Sequence, residues 1–235
     1  MIVLTGDTHG DFDRIVEFCE YYDTTTEDIM IILGDAGINY YLDARDRRLK
    51  EELAQLPITL FCVHGNHEER PSEISGYEEM EWRGGIVLYE PVYPNILFAQ
   101  DGEIYEFAGK KAIVIGGAYS IDKYYRLSGG GPWFESEQPD EWIKAYVEAQ
   151  LKKVKWEIDY VFSHTVPLSY EPREAFLPNI DEGTVDKSTE KWLETIANRL
   201  SYENWYAGHY HVDWSMDRVR ILYEDFLELE GEFDY

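Results

Sequence analysis

A 235-residue chain with six histidines sets two of them one residue apart behind a glycine, in Ala207-Gly208-His209-Tyr210-His211. In an extended segment positions i and i+2 share a face, so both imidazoles would aim at one point. The same residue types gather at four other points: Asp7 and His9 in "GDTHG", Asp35 in "GDAGIN", Asn66 and His67 in "GNHEE", and His164 in "VFSH". Five of the six histidines belong to these segments, and the sixth, His64, lies two residues before Asn66. Carboxylate, imidazole and amide oxygen, with no thiolate among them, suit borderline divalent ions such as Mn²⁺, Fe²⁺ or Zn²⁺, Mn²⁺ favoured, and not a soft copper site. Eight ligand contacts from seven residues, with one carboxylate shared, would hold two ions. At a separation of about 3.5–4 Å such a pair clamps the attacking and leaving oxygens of an in-line displacement at phosphorus.

The elements that must position these residues follow from periodicity. Met1 to Thr5 reads as a short buried strand ending at Gly6-Asp7. Apolar residues at Phe12, Ile15, Val16 and Cys19 then mark an amphipathic helix. Ile29 to Leu33 is a second buried strand ending in Gly-Asp, and Leu42, Leu49, Leu53 and Leu56 mark a charged surface helix that Pro57 breaks. Ile58 to Val63 is the third strand, running into "HGNHEER". This β-α-β-α-β order delivers polar residues to the loops after the strands, as expected of an α/β fold whose site lies outside the carboxyl ends of its strands.

Beyond residue 80 short strands ("IVLY", "ILFA", "EIYEF", "KAIVIGG") alternate with turn residues and read as hairpins. A helix is predicted from Ser136 or Pro139 through Leu151, a strand at "DYVFSH", a helix at "KSTEKWLETIANRL", a strand at "NWYAGHYH" and a final hairpin over "VDWSMDRVRILYEDF". A parallel-like first sheet and a meander-like second one, flanked by helices, predict a β-sandwich within a single domain spanning residues 1–235.

Composition narrows the partners. Lys plus Arg total 21 against 47 Asp plus Glu, a net charge of −26, which disfavours a nucleic-acid polymer as partner. The basic residues Arg45, Arg47, Arg48 and Lys50 are expected on a solvated helix face. Cys19 and Cys62 sit in apolar-periodic stretches and read as core residues. No apolar run is long enough to span a bilayer, and "MIVLTGDTHG" lacks the features of a signal peptide, so the expected location is the cytosol (cytoplasmic), with no membrane partner.

Taken in order, the five motifs resemble D-x-H, G-D, G-N-H-E/D, a lone His and G-H-x-H of the calcineurin-like metallophosphoesterase superfamily, over residues 7 to 211. The resemblance implies an α/β fold in four layers, an αββα sandwich of two mixed β-sheets flanked by helices. It implies one divalent metal ion on Asp7, His9, Asp35 and His211 and a second on Asp35, Asn66, His164 and His209, with Asp35 bridging. It implies His67 as the catalytic histidine beside the leaving oxygen, and hydrolysis of phosphate esters by a metal-bridging hydroxide.

Departures from the pattern bear on the substrate. Phosphoprotein phosphatases of the superfamily carry G-D-x-x-D-R, whereas here Ile38 and Asn39 occupy the places of the Asp that orients the catalytic histidine and the Arg that grips phosphate. Arg70, Lys123 and Arg126 are the replacement candidates for binding the substrate phosphate. A small phosphomonoester, diester or cyclic nucleotide is therefore the expected substrate. A phosphoprotein phosphatase, a nucleic-acid-processing member and a metal-bound interaction scaffold are the alternatives. Tyr40, Tyr41, Tyr119, Tyr124, Tyr125 and Trp133 are aromatic residues available to wall a substrate pocket.

Overall fold

The architecture follows from strands whose alternate residues face two different cores. In the computed structural model, which describes residues 1–176 and 182–229, the chain runs β1 (Ile2–Thr5), α1 (Asp13–Tyr22), β2 (Ile29–Ile32), α2 (Ala44–Leu53) and β3 (Thr59–Cys62). There follow β4 (Glu78–Trp82), β5 (Gly85–Tyr89), β6 (Ile96–Ala99), β7 (Ile104–Phe107), β8 (Lys110–Ile115) and the short α3 (Lys123–Tyr125). The rest comprises α4 (Glu141–Lys153), β9 (Tyr160–Ser163), α5 (Ser188–Ala197), β10 (Asn204–Ala207), β11 (Trp214–Met216), β12 (Val219–Ile221) and β13 (Leu227–Glu228).

Two mixed sheets result, ordered β13-β1-β2-β3-β6-β5-β4 and β11-β12-β10-β9-β8-β7. Ile29 and Ile31 of β2, Phe61 of β3, Ala112 and Val114 of β8, and Tyr160 and Phe162 of β9 fill the core between the sheets. Their neighbours Met30, Ile32, Leu60 and Cys62 face α1 with Ile15, Phe18 and Cys19. On the far side Ile113, Ile115 and Val161 face α4 and α5 with Val147, Leu151, Leu193 and Ile196. This period-two division of apolar residues gives the four expected layers, helix, sheet, sheet, helix.

The hairpin-rich middle of the chain does not form the second sheet alone. β4 and β5 pair antiparallel and join the first sheet through β6, which lies parallel to β3. The centre of the second sheet is parallel, β8-β9-β10-β12. The expected meander is thus split between the sheets: β6 is buried along its whole length and can sit inside a sheet, whereas β4, "EEMEW", is largely exposed. A row of acidic side chains on that outermost strand discourages edge-to-edge pairing.

Helix starts fall where caps allow. α4 begins after Asp140, whose carboxylate accepts from the Ile143 N–H at 2.8 Å, and α2 after Asp43, which accepts from Arg45. Lys50, expected on a solvated face, is buried and pairs with Glu90 at 2.8 Å. Cys19 and Cys62 are buried and free. Among the described residues no helix is long and apolar enough to cross a membrane.

Phe162 packs between Phe107 and Tyr206, with ring centroids at 5.6 and 5.9 Å, and is fully buried. Phe162→Ala should lower unfolding free energy by about 3–5 kcal/mol, measured as a shifted urea midpoint at unchanged slope.

Candidate metal centre

The loops after β1, β2, β3, β9 and β10 meet at one edge of the sandwich because their backbones are stitched together. The N–H groups of Thr8 and His9 both donate to the Asp35 carbonyl, and Gly10 N–H donates to Ala36. The Asp35 carboxylate accepts from the His67 N–H at 2.7 Å, and the Asp7 carboxylate from the His209 N–H at 2.8 Å. Gly208 N–H donates to the His164 carbonyl at 2.9 Å, and Arg14 spans the Gly6, Asp7 and Tyr223 carbonyls from below. Glycine is required where these loops touch. At Gly65 a Cβ would lie 2.0 Å from Asp35 Oδ1, and at Gly34, φ +98°, 2.0 Å from His164 Nδ1.

The paired histidines do not lie on one strand face. β10 stops at Ala207, and His209 and His211 both adopt left-handed backbone, φ 72° and 50°. His9 and Asp35 do the same, at 49° and 47°. Left-handed conformations are costly for residues with a Cβ, so the loops hold these four side chains against a local preference.

One half of the cluster joins Asp7, His9 and His211, whose ligand atoms all lie within 4.8 Å of one another. His9 Nε2 and His211 Nε2 face each other at 2.8 Å, and Asp7 Oδ2, buried and without a hydrogen-bond partner, is 3.3 Å from His211 Nε2. The other half joins Asp7, Asp35 and His164 within the same limit. There His164 Nε2 faces Asn66 Oδ1 at 2.8 Å and Asp35 Oδ2 at 3.5 Å. His164 Nδ1–H donates to the Leu33 carbonyl at 2.9 Å, which leaves a lone pair on Nε2 of the neutral ring. Asn66 Nδ2 donates to Ser120 at 2.9 Å, so its oxygen is the atom turned inward. Asp35 Oδ2 stands 3.9 Å from His9 Nε2 and so faces both halves. His209 joins neither trio through its ring, which stands edge-on to His164 with centroids 4.9 Å apart.

Electrostatics reflect this crowding of negative charge and lone pairs. Burial alone would push Asp35 up, but His164, by charge and hydrogen bond, with His67 and His9 behind it, holds it well below the usual carboxylate range. Burial works against the His164 imidazolium, yet Asp35 and Asp7 raise it to about 9. Burial and the charge of His164 push His209 down to about 3, so that ring is neutral with a lone pair to give. The Asp7 carboxylate facing it at 3.3 Å raises His211. Without another cation the cluster takes a proton onto His164; a divalent ion answers the same demand and satisfies the facing lone pairs and Asp7 Oδ2. The donor set thus fits borderline divalent metal.

His67 lies beside this cluster and not within its buried half. Its ring contacts His9 edge-on at 5.1 Å and Tyr40 nearly parallel at 6.3 Å, and Nε2 is 3.8 Å from Asp122 Oδ1. An acidic side chain thus stands near His67 at the N-terminal side of α3, while at the positions of "GDAGIN" Ile38 is core and Asn39 accepts from Tyr77. Arg126 donates to Asp122 at 3.0 Å and to the Pro132 carbonyl, leaving buried Nη2 without a hydrogen-bond partner.

Lys123 lies over the Trp133 ring at 4.0 Å. Arg70 is buried, paired with Asp101 and donating to the Ser136 carbonyl, so it braces a loop; its Nη2, like that of Arg126, has no hydrogen-bond partner. Of the aromatic candidates Tyr40 and Tyr41 line a cavity with His9 and His67, while Tyr124 and Tyr125 stand exposed. Glu68 accepts from Gly65 N–H at 3.1 Å, and burial followed by the Asp35 charge pushes its carboxyl up to about 8. His64 is buried behind the cluster; burial and the Arg70 charge keep it neutral.

Sequence reading did not find the brace between the two histidine loops. Thr165, next to His164, donates to Glu190 at 2.9 Å and lies 3.0 Å from the hydroxyl of Tyr210, the residue between His209 and His211. No periodicity or motif links α5 to those loops.

A family model for calcineurin-like phosphoesterases matches residues 1–213. The crystal structure of TT1561 of Thermus thermophilus is similar at 11% identity and a TM-score of 0.52, covering 94% of this chain and 87% of that one. A second solved structure, at 14% identity, gives a TM-score of 0.49 over 94% and 88% of the two chains. No curated protein matches the sequence. At 11% identity the likeness to TT1561 is one of fold.

Burial pushes the Glu190 carboxyl from 4.5 up to about 7. Between those values the unfolded chain releases the proton that the folded chain keeps, so stability falls as pH rises through the window. Glu190→Gln retains the acceptor for Thr165 and lacks that titration. Urea denaturation of metal-free protein should find the variant gaining on the parent between pH 4.5 and 7, by up to about 3 kcal/mol, and level above; parallel curves would contradict the shift.

Proposed function

Because the chain belongs to the calcineurin-like phosphoesterases, a family of metal-dependent phosphoester hydrolases, we propose that it hydrolyses small phosphate esters at a centre for two divalent ions. Asp7, His9, Asp35 and His211 would hold one ion and Asp35, Asn66, His164 and His209 the other. The observation that carries this is the pair of inward-facing contacts on either side of Asp35: His9 Nε2 against His211 Nε2, and Asn66 Oδ1 against His164 Nε2, each 2.8 Å apart. When bound, the ions supply positive charge to the phosphoryl oxygens and bring a water's pKa from 15.7 toward neutrality, to about 7 on zinc.

The chain's own residues supply positioning and protons. Ser120 holds the Asn66 amide so that its oxygen faces inward, and the Leu33 carbonyl does the same for His164 Nε2. His67, with its backbone N–H tied to Asp35 and Nε2 near Asp122, is the proposed proton donor to the departing oxygen. Arg126, ion-paired with the Asp122 that stands beside His67, brings its guanidinium to the His67 side and is the proposed group for the substrate phosphate. A net charge of −26 favours small esters over nucleic-acid polymers, and Ile38 and Asn39 depart from the phosphoprotein phosphatase pattern.

The direct test is chelated protein reconstituted with Mn²⁺, Fe²⁺ or Zn²⁺ against phosphomonoesters, diesters, cyclic nucleotides and phosphopeptides. Turnover should need added metal and favour the small esters. Full turnover in excess chelator, with no tightly held metal, would contradict the reading.

If His67 is a proton donor, its value depends on how basic the leaving oxygen is. An alkoxide gains the full benefit of a general acid, about 10²–10⁴-fold, whereas nitrophenolate leaves readily unprotonated. His67→Ala should therefore lower kcat on an alkyl phosphate far more than on nitrophenyl phosphate, with metal content unchanged. Equal losses on both would instead assign His67 to stabilising charge on the phosphoryl oxygens.

A further inference from the structure

A cavity of about 480 Å³ opens beside the metal cluster, within the 300–1,000 Å³ range of small-molecule sites. Its lining begins with His9 and His67, whose nitrogens lie within 4.8 Å of an Asp35 oxygen, and extends past Tyr40 and Tyr41 to Leu49 on α2. It is therefore continuous with the side from which a leaving group departs, and much larger than a phosphate needs. Tyr40 lies 22° from parallel to His67, both rings line the cavity, and Leu49 supplies an apolar wall.

The charges in this cavity are already spoken for. Arg45 lies over the Tyr41 ring, 3.5 Å from its centroid, and gives Nε and Nη2 to Asp43. The Asp46 carboxylate accepts from the N–H groups of Tyr41 and Leu42 at 2.8 and 2.7 Å. Beyond Leu49, which borders both, a second cavity of about 320 Å³ has an apolar floor and Asp11, Asp13 and Glu52 at its rim. An anionic extension would meet acidic groups and no unengaged guanidinium. A flat, uncharged ring would meet two tyrosine side chains and a leucine.

We propose that this cavity binds the alcohol half of the substrate, and that this half is a neutral aromatic or heteroaromatic group seated between Tyr40 and Leu49. The assignment rests on the phosphoesterase reading above and adds the substrate class to it. Aryl alcohols and nucleosides share this chemistry, and the test separates them.

The measurement is kcat/KM of metal-loaded protein on methyl phosphate, 2-phenylethyl phosphate, its 4-carboxyphenyl analogue and adenosine 5′-monophosphate. Methyl and phenylethyl leaving groups are similarly basic, so their ratio reads binding of the ring. Burying a ring of this size is worth about tenfold or more, so phenylethyl phosphate should exceed methyl phosphate by that factor, and the carboxylate should remove the advantage. Leu49→Trp, which fills the cavity, and Tyr40→Leu, which removes a π face, should each bring the ratio toward one. The nucleotide surpassing phenylethyl phosphate would assign the ring to a nucleobase, and the reverse to a simple aryl group. Equal rates on methyl and phenylethyl phosphate, or a ratio that neither variant moves, would overturn the pocket while leaving phosphoesterase activity standing. If no ester turns over, that activity fails instead, and calorimetry with 2-phenylethylphosphonate decides the pocket. Binding weakened by Leu49→Trp would support it; no binding, or binding indifferent to both variants, would overturn it.

Discussion

Two carboxylates buried within one small space, Asp7 and Asp35, set the terms for the rest of the molecule. Each is 1% exposed, and they sit at the ends of the adjacent parallel strands β1 and β2. Burying unpaired carboxylates costs several kcal/mol apiece, so the surroundings must supply positive charge or donors. Backbone N–H groups of His67 and His209 satisfy one oxygen of each. The other oxygens face imidazoles, and Asp7 Oδ2 has no hydrogen bond at all. A fold that collects this much unmet negative potential is built around a cation.

The sandwich makes such a collection possible. Parallel strands at the centre of each sheet bring several carboxyl ends to one edge, where polar side chains can leave the core without disrupting it. His209 N–H to Asp7 and His164 Nδ1–H to Leu33 then join the second sheet's loops to the first sheet's. The inter-sheet core fixes the distance between those edges, so packing around Phe61, Phe162 and Tyr206 bears on ligand geometry far from any ligand.

Much of this was legible in the sequence because both signals are strong. Strands such as "IMIIL" and "ITLFCV" can only be buried, and polar residues of matched type after each one have little other reason to recur. What stayed hidden depends on pairing and loop conformation. "ILFA" reads as a hairpin strand and does pair antiparallel with β5, but its other edge lies parallel to β3, a pairing no local pattern marks. His209 and His211 look like neighbours on one strand face, but the strand ends before them and positive φ angles aim them separately. Asp122 beside His67, and the Glu190–Thr165–Tyr210 brace, come from segments distant in the chain with no motif to mark them. Arg70 follows the "GNHEE" motif closely, and only the fold turns it inward onto Asp101.

The central claim is that Asp35 stands between two metal sites. An anomalous-difference map from crystals of the Mn²⁺-loaded protein, collected near the manganese edge, tests it most directly. Two peaks are predicted, one between His9 Nε2 and His211 Nε2 and one between Asn66 Oδ1 and His164 Nε2, both in contact with the Asp35 carboxylate. A single peak, or two peaks of which only one touches Asp35, would contradict it.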